Sequence, residues 1–176
     1  SSYDAIVLDS FNTQWADPSK PNEIGSELSM YDGDRWLQGG FAKLLFGRGT
    51  EVVIESPARF EILSDNELNL LSGRAYSTVT KQSKGFTVLT PNSTVVDLGT
   101  EFGVEVLGGS SSVHMIEGEA TVLPNNGLRT QKPIELIAGR AKAIGIDGIA
   151  QDIRVDNNKF VNDISSEMEL IYRADK

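Results

Sequence analysis

Short apolar segments separated by glycine or asparagine constrain the fold of this chain most strongly. From residue 39 onward such segments recur at intervals of about ten positions. Apolar and polar residues alternate with a period of two at Phe60 and Ile62, and again at Phe86 and Val88. The pattern predicts an all-β fold with little helix, built from many short antiparallel strands in an irregular roll, a sandwich or a β-solenoid-like stack.

Each predicted strand is bounded by turn residues. The predicted strands span residues 41–46, 50–55, 59–63, 67–71, 74–79, 85–90, 94–98, 101–106, 111–116, 119–123, 133–137 and 140–146. A Gly-x-Ala motif lies at the start of four of them, at Gly40, Gly73, Gly118 and Gly139. The unequal intervals between these glycines exclude a strict repeat. Irregular stacked hairpins explain the motif, and the alternative is that turns in any all-β protein place glycine before a strand.

The stretch from Thr90 to Val106 organises the predicted strands. Pro91 predicts that one strand ends and the chain turns, and Gly99 predicts a return turn between two further strands. After that turn, Phe102, Val104 and Val106 alternate with small or charged residues and so share one face.

The composition and the apolar pattern of the sequence divide the chain into three regions. Residues 1–38 are predicted to be an N-terminal extension that packs on or completes the β domain, with one strand at 5–8 and a loop from residue 12 to 21. Residues 39–146 form the β domain. Residues 147–176 are a C-terminal extension or linker, in which Ser165 or Ser166 would cap a short helix at 167–172. The opening Ser1-Ser2-Tyr3 leads us to expect a longer natural protein.

Composition excludes several kinds of function. With 25 acidic and 16 basic residues the formal net charge is −9, which opposes binding to nucleic acid. The absence of cysteine excludes disulfides, thiolate metal sites and a thiol nucleophile. No apolar run approaches the roughly 18 residues of a membrane span. We predict no cofactor and no metal, and we interpret residues 31–34 as a turn rather than a calcium loop.

Catalytic candidates are few. His114, the single histidine, alternates with Val113 and Met115 and is predicted to face solvent as a bystander. The carboxylate pairs Asp97 with Glu101 and Glu51 with Glu55 are the remaining candidates for hydrolysis. Asp97 is better explained as a turn residue that hydrogen-bonds the amides around Gly99. We therefore predict that the chain is not an enzyme.

Four blocks in order resemble the FecR-like domain family. They span residues 85–91, 99–104, 113–122 and 136–141 and follow the pattern F-x-V-x-T-P, G-T-x-F-x-V, V-x-V-x-x-G-x-V and L-x-x-G. The residues that carry the motif structurally are Thr90, Pro91, Gly99, Thr100, Phe102, Gly118 and Gly139.

The resemblance implies a regulatory function outside the cytoplasm. Members of this family act on the periplasmic side of the bacterial inner membrane, anchored by a helix that follows a cytoplasmic anti-sigma segment. The resemblance implies two partners: the signalling domain of a TonB-dependent receptor, and a sigma factor reached through the cytoplasmic segment, which this sequence lacks. A non-catalytic accessory domain that binds carbohydrate or another surface is the alternative, with Trp15, Trp36 and Tyr76 as stacking residues. For both tryptophans, burial against the sheet is the simpler interpretation.

Partner contact is predicted at an exposed strand edge, where a partner strand could pair. The candidate edges are residues 86–89 and 113–116. The corresponding contact residues are Phe86, Val88, Val113 and Met115.

Overall fold

The computed structural model describes residues 3–20, 22–125 and 131–164. The helix expected at 167–172 lies outside these residues. Within the described ranges, no helix has the length and apolar character needed to cross a membrane.

The regular secondary structure of the described chain is almost entirely β-strand, which confirms the predicted all-β class. Eleven strands occur in it, and the helical content consists of two short 3-10 turns at Met30–Asp32 and Lys81–Ser83. The strands are β1 Ala5–Trp15, β2 Glu27–Leu28, β3 Asp34–Phe46, β4 Glu51–Ser64, β5 Glu67–Thr78, β6 Thr87–Thr90, β7 Ser93–Leu107, β8 Ser110–Pro124, β9 Ile134–Ile137, β10 Ala141–Ile144 and β11 Ala150–Ile153.

One continuous sheet contains all eleven strands. Its order is β11-β10-β8-β7-β6-β5-β4-β3-β1-β2, and β9 pairs with β8. Strand β6 is wedged between β5 and β7: it pairs parallel with residues 67–69 and antiparallel with residues 93–96. Where β6 does not separate them, β5 and β7 pair directly with each other, over residues 73–78 of β5 and 101–106 of β7. Apart from the β5–β6 pair, the ladders are antiparallel, as the sequence predicts.

The strands are longer than predicted because glycines bend them without ending them. Segments predicted separately are joined at Gly73 in β5, Gly99 in β7 and Gly118 in β8, and also in β4, which contains no glycine. At Gly40, Gly73, Gly99 and Gly118 the backbone has φ of 75°, 100°, 134° and 79°. The ladders shift register close to these glycines in β3, β7 and β8. We call these four glycine positions together the crease, since bulges of this kind bend the sheet. They do not form one straight row, because Gly73 lies opposite Val106 and not opposite Gly99.

The crease corrects two predictions. Gly99 lies in a bulge inside β7, between Asp97 and Thr100, and does not form a return turn. Of the four Gly-x-Ala motifs, only that of Gly139 lies in a turn before a strand, whereas the other three bend a strand from within. The alanine of each motif is buried, so the small side chain fits where the bent strand approaches the core. These alanines are Ala42, Ala75, Ala120 and Ala141.

The interior of the bent sheet is a continuous apolar core. Phe102, Val104 and Val106 are all buried in it, which confirms the face predicted from their alternation. On the N-terminal side, β1 pairs with β3 and runs on to Trp15. The loop expected from residue 12 therefore begins only after Trp15, because the strand continues through the irregular backbone at Asn12.

A C-terminal strap, residues 154–164, lies across the outer face of β7 and β8. The Phe160 ring occupies the space where a side chain at Gly103 would stand. Lys159 Nζ lies 3.0 Å from Glu105 Oε1, and its carbonyl oxygen accepts a hydrogen bond from Arg74. Lys43 and Asp163 form an exposed ion pair at 3.0 Å. The strap thus covers a face of the sheet that would otherwise be open.

Candidate functional site

The residues predicted to contact a partner form part of the core. Phe86, Val88, Val113 and Met115 are fully buried, so their side chains present no surface to another molecule. The predicted edges are also wrong. Strand β6 is paired on both sides, and residues 113–114 of β8 lie between β7 and β10. The sequence could not reveal this, because one partner of each strand, residues 67–69 for β6 and β10 for β8, is separated from it by other segments of the chain.

A different surface exposes apolar side chains. Leu107, Ile146 and Ile149 are 73%, 75% and 55% exposed. Leu107 ends β7 at the β7–β8 hairpin, while Ile146 and Ile149 lie in the β10–β11 turn. We call these three residues the hairpin-tip surface. Exposed aliphatic side chains grouped at one place are typical of a contact site for another protein.

The two hairpins are neighbours because β10 pairs with β8. Ile144 is opposite Ser111, and Ser110 is opposite Leu107. A Cβ placed on Gly109 would lie 3.5 Å from Ile146 Cγ1, so Ile146 lies over the tip of the β7–β8 hairpin. Next to this surface, the outer edge of β11 is paired with no strand of the described chain.

Asn92 holds the two hairpins together. Its side-chain amide donates to the carbonyl oxygens of Gly109, Ile144 and Gly145 at 3.2, 3.0 and 2.8 Å. Its Oδ1 accepts a hydrogen bond of 2.6 Å from Ser111 Oγ. Because Asn92 itself occupies the β6–β7 turn, one buried side chain links three turns of the sheet.

The sequence gives a weak signal for this role. Asn92 follows Pro91, and a Pro-Asn pair is typical of an ordinary turn. Thr90 supports the same turn, since its hydroxyl contacts Ser93 Oγ at 2.7 Å. The acceptors of the Asn92 amide lie 17 to 53 residues away. No local pattern identifies partners at that separation.

His114 is buried under the C-terminal strap, contrary to the prediction that it faces solvent. The Phe160 ring packs against the imidazole edge to face, with centroids 5.4 Å apart. His114 Nδ1 accepts the backbone N–H of Asp156 at 3.0 Å. Its alternation with Val113 and Met115 is real, but the outer face to which it points is covered by residues more than forty positions later.

These contacts also fix the tautomer of the ring. Since Nδ1 accepts a hydrogen bond, the proton of the neutral imidazole is on Nε2, which lies 3.3 Å from Ser112 Oγ. A histidine that acts as general base towards a serine needs a free lone pair at the nitrogen facing the hydroxyl. His114 instead donates to Ser112, so this pair is not arranged for nucleophilic catalysis.

Acidification is expected to weaken the strap. Burial, together with the nearby charge of Lys159, lowers the pKa of His114, although Asp156 and Glu105 oppose the shift. A depressed histidine pKa means that its contribution to the free energy of unfolding is present above the unfolded pKa of about 6.5 and is lost as the pH falls through the folded pKa. Protonated Nδ1 can no longer accept the Asp156 N–H.

The measurement is the free energy of unfolding between about pH 7 and pH 5, with the proton resonances of the single histidine as a direct titration. The control is His114→Asn, whose Oδ1 retains an acceptor near the position of Nδ1 and does not titrate. Wild type should lose more stability than the control over this range. Equal losses in both proteins would contradict the role of His114.

Glu51, Glu55 and Glu101, three of the carboxylates proposed for hydrolysis, each have a side-chain partner in the sheet. Glu51 lies 3.2 Å from Lys43, and Glu101 accepts a hydrogen bond from the Tyr76 hydroxyl. Glu55 pairs with Arg74 at 2.9 Å, although burial raises its pKa. Asp97 is buried in β7, and its main chain bonds to those of Gly85 and Phe86. These contacts tie neighbouring segments together.

Arg74 and Glu105 belong to the same outer-face network. Burial alone would raise the pKa of Glu105, but hydrogen bonds from Arg74 and Lys159 outweigh it and lower the pKa. No group of three potential metal ligands occurs in the part of the chain that the structure describes. Residues 30–32 form a 3-10 turn closed by a capping box at Ser29, consistent with their interpretation as a turn.

The aromatic stacking candidates have different environments. Tyr76 is buried. Burial and the hydrogen bond to Glu101 both raise the pKa of its hydroxyl. Trp15 is half-buried and packs against the Phe60 ring at a centroid distance of 6.2 Å. Trp36 is 46% exposed, so its predicted burial is wrong. Arg59 covers part of its ring, 5.8 Å from the centroid.

Comparison with known proteins gives a family match over part of the chain and a shared fold. Residues 36–121 match the family model described as FecR protein. Two crystal structures, at 2.50 and 1.65 Å resolution, of a protein from Parabacteroides distasonis ATCC 8503 provisionally named as an anti-sigma factor share this fold. Each aligns with a TM-score of 0.56 and 19% identity over 69% of this chain, and the match spans 59% of the length of that protein. A comparison with curated proteins finds no match.

Proposed function

We propose, from the match of residues 36–121 to the FecR family model, that the protein is the sensor and interaction part of a FecR-like sigma regulator. It acts by contact with other proteins and carries out no chemistry of its own. Its location is the periplasmic side of the inner membrane. The partner outside the cytoplasm is the signalling domain of a TonB-dependent receptor, and the sigma factor is reached through a cytoplasmic segment of the regulator.

The hairpin-tip surface is the observation that carries this proposal. The side chains of Leu107, Ile146 and Ile149 are exposed to solvent. By contrast, the apolar side chains in the core of the same sheet are buried. Hydrogen bonds from the Asn92 side chain hold the two hairpins together, so the hairpin-tip surface has a fixed geometry before a partner binds. Preorganisation of this kind lowers the entropy cost of association.

Strand β11 supplies a second element of the contact. A partner segment in extended conformation can pair with the outer edge of β11, while its alternate side chains pack beside Ile149 and Ile146. Backbone hydrogen bonds then provide affinity, and the aliphatic contacts provide selectivity. This edge replaces the two edges predicted from the sequence, neither of which is free.

The test is a titration of the purified domain with purified signalling domains of TonB-dependent receptors from the same genome. Replacement of both Leu107 and Ile146 by Glu is expected to weaken the binding of the cognate domain at least about tenfold, since two charges would enter an apolar contact. Both residues are exposed, so the double variant should fold normally.

Tyr31→Glu is the matched control. Tyr31 is 88% exposed and follows β2, at the opposite end of the strand order from β11. Its replacement should leave binding unchanged. The proposal fails if no receptor signalling domain binds the wild-type protein, or if the double variant binds as tightly as the control.

A further inference from the structure

Two adjoining clefts lie beside the loop that follows β1. The larger one has a volume of about 510 Å³ and the smaller one about 210 Å³. They share a wall formed by Trp15, Lys20 and Asn22. Trp36 and Arg59 line the smaller cleft, whereas Ser10 and Thr13 line the larger one. The larger volume falls within the range of roughly 300–1,000 Å³ usual for small-molecule sites.

The clefts contain both tryptophans of the chain. Trp15 is held by its contact with Phe60, and Trp36 leaves nearly half of its surface exposed. Among the described residues, the buried indole nitrogen of Trp15 has no hydrogen-bond acceptor. Indole rings offer an apolar face and a polar N–H, which suits a ligand that has both C–H surfaces and hydroxyls.

Apart from Glu23, the charged groups around the clefts already have partners. Arg59 pairs with Asp34, and the buried Arg35 pairs with Asp32 and Asn22. Lys20 Nζ donates to the carbonyl oxygens of Asp32 and Asp34, both at 3.0 Å. Asp17 accepts from the hydroxyl of Ser19 at 2.5 Å. An ionic ligand would have to displace these partners, and the displaced charge would then lose its own interaction.

Groups that remain available are polar and mostly uncharged. Within the described chain, the hydroxyls of Ser10 and Thr13 make no hydrogen bond, and the exposed Glu23 makes no ion pair. The side-chain amide of Asn22 donates a hydrogen bond of 2.9 Å to the Lys20 carbonyl oxygen. The Asn22 side chain is therefore held in place before a ligand enters the cleft. Aromatic faces combined with hydroxyl and carboxylate groups match a polyhydroxylated ligand.

We propose that these adjoining clefts bind a neutral oligosaccharide. One sugar ring packs on Trp15 in the larger cleft, and the chain extends to Trp36 in the smaller one. Ser10, Thr13 and Glu23 hydrogen-bond the ligand hydroxyls. This site is distinct from the hairpin-tip surface: it involves β1 and the following loop, at the other end of the strand order.

Tryptophan fluorescence reports on this site directly, because Trp15 and Trp36 are the only tryptophans of the chain. The purified protein is titrated with linear neutral hexasaccharides of glucose, mannose, xylose and N-acetylglucosamine, and with hexagalacturonate as the anionic comparison. At least one neutral hexasaccharide is expected to change the emission with saturation below about 10 mM. Calorimetry then measures the affinities of the variants.

Trp36→Ala is expected to weaken that binding at least about tenfold, and Thr13→Val to weaken it by a smaller factor. Tyr31→Ala, which removes an exposed aromatic ring outside the clefts, should bind as wild type. The inference is overturned if none of the neutral hexasaccharides binds, if hexagalacturonate binds more tightly than all of them, or if Trp36→Ala binds as wild type. Replacement of Leu107 and Ile146 should not affect sugar binding, which separates this test from that of the receptor contact.

Discussion

Replacing Asn92 by Asp is expected to lower the free energy of unfolding by about 4 kcal/mol or more, a large part of the total stability of a typical domain. The Asn92 amide nitrogen points at three carbonyl oxygens within 3.2 Å. In the Asn92→Asp variant a carboxylate oxygen would take the place of this nitrogen and face acceptors with no proton to share. A buried charge without a partner adds its desolvation cost.

Asn92→Ala should be less damaging, with a loss of about 3 kcal/mol, because it removes the hydrogen bonds without introducing a charge. Chemical denaturation followed by circular dichroism measures both changes. The control is Asn158→Asp, which introduces the same chemical change at an exposed position of the strap. If Asn92→Asp is no less stable than Asn92→Ala, or if both match the control, the amide does not hold the hairpins together.

The second large effect concerns the crease. Gly40→Ala is expected to lower the free energy of unfolding by about 3–5 kcal/mol, through an unfavourable φ and a steric clash together. Gly40 has a φ of 75°, and a Cβ at this position would collide with the carbonyl oxygen of Phe11 and the backbone of Asn12. Because the colliding atoms belong to the paired backbone of β1, a change of side-chain rotamer cannot relieve the clash.

Gly139→Ala separates the two causes. Gly139 has a similar φ of 82°, but nothing lies within 4 Å of the position of its Cβ. The Gly139→Ala variant should therefore lose only about 1 kcal/mol of the free energy of unfolding, which is the cost of the left-handed backbone alone. Thermal denaturation of the two variants compares them directly. Equal losses would show that the close approach of β1 and β3 at the crease is not what requires glycine.

The features that the sequence predicted well depend on neighbouring residues. Burial of Phe102, Val104 and Val106 follows from strict alternation, and the turn at Pro91 follows from the fixed φ of proline. The family motif was recognisable for the same reason, since its glycines impose a backbone conformation at each position. Gly118 and Gly139 both have positive φ.

The features that the sequence missed depend on distant pairing. A glycine with positive φ looks like the end of a strand, whereas Gly99 only bends β7 because β8 continues to pair on both sides of it. His114 is covered by Phe160. Val88 is not at an edge, because β6 also pairs in parallel with β5. In each case the deciding contact is set by topology, which local alternation does not encode.

The same distinction applies to the candidate sites. Trp15 and Trp36 were identifiable as stacking residues, but the Arg59–Asp34 pair beside Trp36 and the fixed position of Lys20 emerge only in the folded protein. Leu107, Ile146 and Ile149 carry no signal in the sequence, since an exposed aliphatic residue in a turn looks like a buried one. Their common location follows from the pairing of β8 with β10.

The most direct test of the receptor-contact account is to map the surface that a partner occupies. The ¹⁵N-labelled domain is titrated with the cognate receptor signalling domain while backbone amide chemical shifts are followed. The account predicts the largest changes at residues 107–110 and 145–153, which comprise the two hairpin tips and β11. Changes confined to other parts of the sheet, or no changes at a concentration that saturates binding, would contradict it.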